Sequence, residues 1–225
     1  MAKSKCVPLR VIAYLVDGRF SSADGIIMLD AILYHAWFLR HHPEVFDGGY
    51  EYQDIGNVGL PLRQLPGNRW AASKGVYETV DTSIEYFNKR PDFFASDKYS
   101  YLKETKGIIS DGAGVYRSYR QPQMIRTVKN QIITFYCVGH KKEVQHMLDL
   151  MVGVGKKTAM GFGFVKKWVV EECEEDYSTE HPIYGLMRPI EVEKSEKVYD
   201  LPIMQYAIRP PYWKAKNMRL CYVPV

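Results

Sequence analysis

The chain of 225 residues has four cysteines, Cys6, Cys137, Cys173 and Cys221, and no C-x-x-C pair among them. Such scatter excludes a zinc ribbon and a dithiol redox motif. Cys137 lies in an apolar run and reads as a small core residue. No apolar run reaches the ~18 residues of a membrane span, so no membrane partner is expected. The opening Met-Ala-Lys-Ser-Lys-Cys-Val-Pro lacks the apolar centre of a signal peptide, which predicts a cytoplasmic protein. His41, His42, His146 and His181 have no metal-ligand spacing to cysteines or carboxylates, and no cofactor is expected. Internal repeats and low-complexity tracts are also missing.

What remains is an ordinary globular composition, 46% apolar and 25% charged. A chain of this length can form one domain with appendages or two small domains. Val7, Leu9, Val11, Ala13 and Leu15 alternate with Arg10 on the opposite face, predicting a strand over Val7 to Val16. Leu29, Ile32, Leu33, Ala36 and Trp37 switch to helical period, in a helix that stops near His41, His42 and Pro43. Phe46 to Asn68 reads as a long irregular connection, followed by a short strand around Trp70 to Val80. The β-branched and aromatic run Ile132 to Val138 predicts a central strand buried on both faces. Val144, Met147, Leu148 and Met151 mark a second helix, and Phe162 to Val170 the next strand.

Strand, helix, strand, strand, helix, strand is the order of a ferredoxin-like split βαβ unit. The predicted fold is therefore α+β, with that core over residues 1–176 and a C-terminal extension over 177–225. Residues 81–130 form an inserted basic hairpin region, because the middle strands need no connector that long. Strand character returns near Pro202 to Ile208 and Met218 to Val223.

The densest motif is Gly-Val-Gly-Lys-Lys-Thr-Ala-Met-Gly-Phe-Gly at residues 153–163, between the second helix and the last core strand. Gly153, Gly155, Gly161 and Gly163 permit positive φ and close approach, so successive N–H groups can converge on a phosphate beside Lys156 and Lys157. The alternative is a tight helix-to-strand connection. No Gly-Lys-Ser/Thr ending opens a helix here, which argues against nucleotide hydrolysis. Charge is segregated too: Lys89 to Lys167 holds fifteen Lys and Arg against six Asp and Glu, whereas Glu171 to Asp200 holds three against ten. One surface suits a polyanion and another is turned away from it, unless both are merely solvated faces.

With this strand order, loop and basic insertion, the sequence resembles the CRISPR-associated RAMP superfamily, whose G-h-G-x5-G-h-G loop (h apolar) is met by Gly153, Gly155, Gly161 and Gly163. Further segments are similar to the family supplying the 5′-handle-capping RAMP subunit of type IV CRISPR effector complexes: Pro8-Leu9-Arg10-Val11, Leu29-Asp30-Ala31-Ile32-Leu33, Trp70-Ala71-Ala72-Ser73-Lys74-Gly75, Tyr116-Arg117-Ser118-Tyr119-Arg120, Phe135-Tyr136-Cys137-Val138-Gly139 and Leu186-Met187-Arg188-Pro189. The likeness runs over roughly residues 7–190. It implies an RNA-binding structural subunit that caps the 5′ handle of CRISPR RNA. The implied partners are that RNA, backbone-forming RAMP subunits, a large or small effector subunit, and target DNA through the complex.

Arg117, Arg120, Arg126 and Lys129 interleave with Tyr116 and Tyr119, the pairing of phosphate grip and base stacking that unpaired RNA requires. Arg117 and Tyr119 share one face of a strand. Trp70, Ser73 and Lys74 add a ring, a hydroxyl and a charge, with Trp70 also a natural core anchor. Metal-free RNA cleavage needs a base, an acid and a cation, commonly His, Tyr and Lys. His35 on the first helix and His140 beside Lys141 and Lys142 lack that company, so binding is favoured over a RAMP-type endoribonuclease. A third reading is a small module that holds a nucleotide or anion in the glycine loop. The acidic run Glu171 to Asp176 reads as a solvated strand exit or a protein-contacting surface.

Overall fold

A computed structural model describes residues 5–43, 58–89 and 118–224, Lys89 by its backbone alone. In chain order the strands are β1 (Val7–Leu15), β2 (Arg19–Ser21), β3 (Gln64–Leu65), β4 (Arg69–Trp70), β5 (Thr79–Lys89), β6 (Tyr119–Val128), β7 (Ile132–Gly139), β8 (Val165–Glu172), β9 (Glu180–His181), β10 (Gly185–Leu186), β11 (Ile190–Glu191), β12 (Ile203–Ala207) and β13 (Met218–Tyr222). Two α-helices stand among the described residues, α1 (Leu29–His41) and α2 (Lys141–Leu148). The fold is α+β and mostly strand. None of the described helices is long and apolar enough to cross a membrane.

β1 lies between β7 and β8, antiparallel to both. The alternation read from the sequence sets its burial. Leu9, Val11, Ala13 and Leu15 meet Ile133, Phe135, Cys137, Trp168 and Val170 in one core, which α1 closes with Leu29, Ile32, Leu33 and Ala36 and α2 with Val144, Met147 and Leu148. Each Val, Leu, Ile, Phe and Met among them contributes about 1.5–3 kcal/mol on full burial. Asp30 in the first turn of α1 and Arg40 and His41 in its last complement the helix dipole.

Three expectations change. β7 is buried on one face only, because its opposite face, with Ile132, Thr134 and Tyr136, lines a cleft. The strand expected around Trp70 to Val80 is broken: Ala72 and Val76 bridge Cys137 and Thr134 on the outer edge of β7, but no continuous ladder forms. The Ser73 hydroxyl, not a backbone carbonyl, receives the Tyr136 N–H at 2.7 Å, interrupting the pairing. Gly75 allows the close approach there, since a Cβ would lie 2.7 Å from the Ile133 methyl. The last core strand begins at Val165, three residues late, because Gly163 still belongs to the loop against β2.

β5 and β6 pair along their whole described length and form an arm, with β2 on the other edge of β6. The arm runs into β7 through a tight turn in which Asn130 and Gln131 take positive φ. The C-terminal part builds the hairpin β9–β10 and a sheet ordered β11-β13-β12. It is fastened by Arg188, which has no exposed surface. Its guanidinium donates to the carbonyls of Trp70, Ala72 (3.1 Å) and Ile208 (3.0 Å) and lies 3.6 Å from the Asp30 carboxylate. Asp30 also accepts from the Tyr212 hydroxyl at 2.8 Å. Burial pushes the Asp30 carboxyl above its ordinary range, with Arg188 and the Tyr212 hydrogen bond opposing the rise.

Candidate nucleic-acid interface

The register of the arm decides which side chains act together. Arg120 opposes Asn88, Pro122 opposes Tyr86, Met124 opposes Ile84 and Arg126 opposes Thr82. Opposed residues share a face, so Arg120 and Arg126 project on the same side as Ile84, Tyr86 and Met124. That side is open: Ile84 is 59% and Tyr86 52% exposed. The Arg120 guanidinium stacks over the Tyr86 ring, 3.9 Å from its centroid. A cation stacked on an exposed ring leaves its in-plane N–H fork for a phosphate and the neighbouring ring surface for a base.

Tyr119 opposes Lys89 and so sits on the other face from Arg120. The ring on the Arg120 face is that of Tyr86, which sequence reasoning missed because its pairing with Pro122 depends on register. Arg117 lies outside the described residues. At the base of the arm, Arg126 donates to the Ser22 carbonyl at 2.5 Å and Lys129 pairs with Glu78 at 2.8 Å. Both line a cleft of about 950 Å3, together with Lys74 and Arg10. Burial lowers the Lys74 pKa from its ordinary value. Arg10 reaches Glu171 at 2.6 Å, hydrogen-bonded and ion-paired. With Asp24 and Glu78 as the acids on its wall, the cleft is net cationic.

The glycine loop lies along β2, beyond the other edge of the arm's sheet, where Lys156 bridges Ser21. Its backbone is largely engaged within the protein. Val154, Lys156 and Gly163 donate to the carbonyls of Gly163, Ser21 and Arg19, and Met160 and Gly161 to those of Lys157 and Thr158. A Cβ on Gly155 would overlap the Ser21 carbonyl oxygen, and one on Gly163 the Val154 carbonyl oxygen. Gly153 would bring a Cβ to 2.7 Å from a Thr158 methyl. Gly161 differs: its φ is +95°, yet no atom lies within 4 Å of a Cβ there. What the loop offers outward is the side chains of exposed Lys156 and half-buried Lys157 and the backbone around Gly161. Lys157 Nζ lies 5.4 Å from the Phe87 ring centroid, on the face of the arm opposite Arg120.

The remaining sequence candidates divide. Lys74 enters the cleft, whereas Ser73 is fully buried, its hydroxyl donating to the Lys74 carbonyl at 2.7 Å while accepting from Tyr136. Trp70 is half-buried, packs against the main core and gives its carbonyl to Arg188. Burial lowers the pKa of His35, and His140 occupies the N-cap position of α2 without a side-chain capping bond, its Nε2 3.5 Å from the Cys6 sulfur. The acidic run is partly paired, Glu171 with Arg10, Glu172 with Lys141 and Asp176 with Arg63.

An exposed cationic and aromatic arm beside a cationic cleft makes a surface whose charge is complementary to a polyanion. The family model for CRISPR type IV associated protein Csf3 matches residues 7–224, so the chain belongs to that family, which indicates a subunit of a type IV CRISPR complex. No curated protein matches the chain.

Proposed function

We propose that this chain is the RNA-binding structural subunit that caps the 5′ handle of the CRISPR RNA in a type IV ribonucleoprotein, next to the first backbone-forming subunit. The observation that carries the reading is the single arm face on which Arg120, stacked on Tyr86, and Arg126 lead down to the cleft with Lys74 and Lys129. Cations spaced along an exposed ladder track a sugar-phosphate backbone, and exposed rings between them stack unpaired bases. A ferredoxin-like core is the fold we infer. Supporting it are the order β8-β1-β7, the bridges from residues 71–76 to the outer edge of β7, and both described helices on one face.

The loop's share of RNA binding rests on Lys156, Lys157 and Gly161, because the amides of Val154, Lys156 and Gly163 already have protein acceptors. Backbone-forming RAMP subunits, a large or small effector subunit and, through the complex, target DNA complete the assembly. In this reading the chain binds RNA without cutting it, in the cytoplasm and without a cofactor.

The test is to purify the chain with its RNA, sequence the 5′ ends, and then offer it a labelled precursor in excess chelator and a pre-cut RNA with a free 5′ handle. The expected result is a common 5′ end, an intact precursor and tight binding of the pre-cut RNA. Cleavage at the repeat that disappears in His35→Ala or His140→Ala would establish the endoribonuclease instead. Binding of a mononucleotide in preference to RNA would support the small-ligand module.

A further inference from the structure

The cleft has an aromatic end that the arm and the loop do not explain. Tyr136, in register with Arg10 on the open face of the β1–β7 pair, lines it, and so does Tyr184 from the turn between β9 and β10. Behind them the rings of Tyr177 and His181 pack 4.5 Å apart, and His181 stands 5.3 Å from Tyr136 and 4.5 Å from Tyr184. The Ile183 N–H donates to His181 Nδ1 at 3.1 Å, which fixes the imidazole in the turn that presents Tyr184. Tyr184 remains 48% exposed. An exposed tyrosine held by neighbouring rings loses little entropy when a flat group stacks on it.

The rest of the cleft suits what such a flat group would be attached to. Lys74, Arg126 and Lys129 stand along its wall, and Arg126 shares its face of the arm with Arg120, so the rim continues the cationic path of the arm. Met204 and Tyr206 of β12 form the opposite wall. The volume of about 950 Å3 lies near the top of the ~300–1,000 Å3 span of small-ligand clefts, enough for more than one base with its sugar.

We propose that the cleft between the β1–β7 face and the C-terminal segment is a subsite for unpaired nucleotides of the bound RNA, with a base stacked on Tyr184 and Tyr136 and its phosphates toward Lys74, Arg126 and Lys129. It rests on the RNA-binding reading above and assigns a place within it: these nucleotides leave the arm and are held between two layers of the protein. Bases taken out of a strand and stacked on sheet-borne aromatics are how unpaired RNA gains sequence-specific recognition.

The experiment uses the full chain and a synthetic RNA with the 5′ sequence of the copurified RNA, carrying 2-aminopurine or an abasic residue at one position at a time. Wild type, Tyr184→Ala, Tyr136→Leu and Arg120→Ala are compared, with thermal stability measured alongside. Expected are one or two positions where 2-aminopurine is quenched by wild type and released in Tyr184→Ala. At those positions the abasic RNA loses about tenfold in affinity for wild type. Tyr184→Ala loses the same factor on intact RNA and nothing more on abasic RNA, with its salt dependence unchanged. A folded Tyr184→Ala that binds every RNA like wild type, while Arg120→Ala weakens binding, would overturn the subsite and leave the RNA-binding reading standing. If no RNA binds wild type, both fall.

Discussion

The glycine loop and the β5–β6 arm both invite a phosphate, yet the fold uses them in opposite ways. The loop turns its polar groups inward: five of its amides meet protein carbonyls, and two of its glycines are needed because Ser21 and Val154 leave no room for a Cβ. The arm turns its groups outward, with Arg120, Tyr86, Ile84 and Met124 on one open face. A glycine pattern thus reports how closely two backbones approach, whatever the approaching backbone belongs to. A cation and a ring on an exposed ladder face have no such internal use, and they point more directly to a ligand.

Arginine follows the same division, and the largest expected effect lies there. Arg188 serves the interior, Arg120 the surface. Arg188→Met should cost about 3–5 kcal/mol, because it leaves the buried Asp30 carboxylate without its cation. The pH dependence has a definite sign. An acid whose folded pKa is raised binds more protons folded than unfolded, so its stability falls as pH rises above the ordinary carboxylate range. Removing Arg188 raises that pKa further, and the deficit of the variant should shrink when denaturation is followed at pH 5 instead of pH 8. A deficit that is small, or equal at both, would show that the Asp30 charge is not what Arg188 answers.

Gly163→Ala and Gly155→Ala come next, at about 2–4 kcal/mol each from overlap plus left-handed strain. Thermal melts check this directly. Variants that melt like wild type would mean that β2 and the loop can part, and would return the amides of residues 156 and 163 to solvent and to phosphate. The loop would then resemble the arm, and the contrast would break.

Much of this was legible beforehand, and the exceptions share a cause. Alternation gave β1 its inner and outer faces, and helical period gave α1 nearly to the residue, since both patterns are local. Pairing is not local. Nothing in the residues around Tyr119 shows that it opposes Lys89 while Arg120 lies diagonal to Tyr86. Nor does Ser73, read as a ligand hydroxyl, declare that it will receive the N–H of Tyr136, 63 residues away. The cleft is assembled from seven stretches of chain between Arg10 and Pro224, so its aromatic end could be found only after folding. Residue type alone is a guide to exposure, as at Arg120, but not to which polar groups a distant partner engages, as at Ser73.

On the arm, Arg120→Ala with Arg126→Ala should weaken RNA binding by about 1.5–3 kcal/mol, the range of hydrogen bonds to charged groups. The steepness of its salt dependence should fall by about 1.4, some 0.7 for each lost contact with single-stranded phosphate. Arg120→Ala alone should leave the melting temperature nearly unchanged, because its described contact is the exposed stack on Tyr86. An unaltered salt slope in the double variant would take these arginines off the RNA backbone and leave the arm with no more claim to it than the loop.

The smallest effect is expected at Gly161, where the comparison is finest. It shares the loop with Gly155 and Gly163, and its φ of +95° is equally unfavourable for a side chain, but no atom stands within 4 Å of a Cβ. Gly161→Ala should therefore cost only about 1–2 kcal/mol of backbone strain, without the overlap that burdens its neighbours. Because the methyl would project from the outward part of the loop, near Lys157 and exposed Met160, the variant is a clean probe of whether RNA passes there. We expect a few-fold loss of RNA affinity in a protein that still melts cooperatively, measured by titration at fixed salt. Affinity equal to wild type in the folded variant would confine RNA to the arm and the cleft and make the whole glycine motif a device for seating the loop on β2.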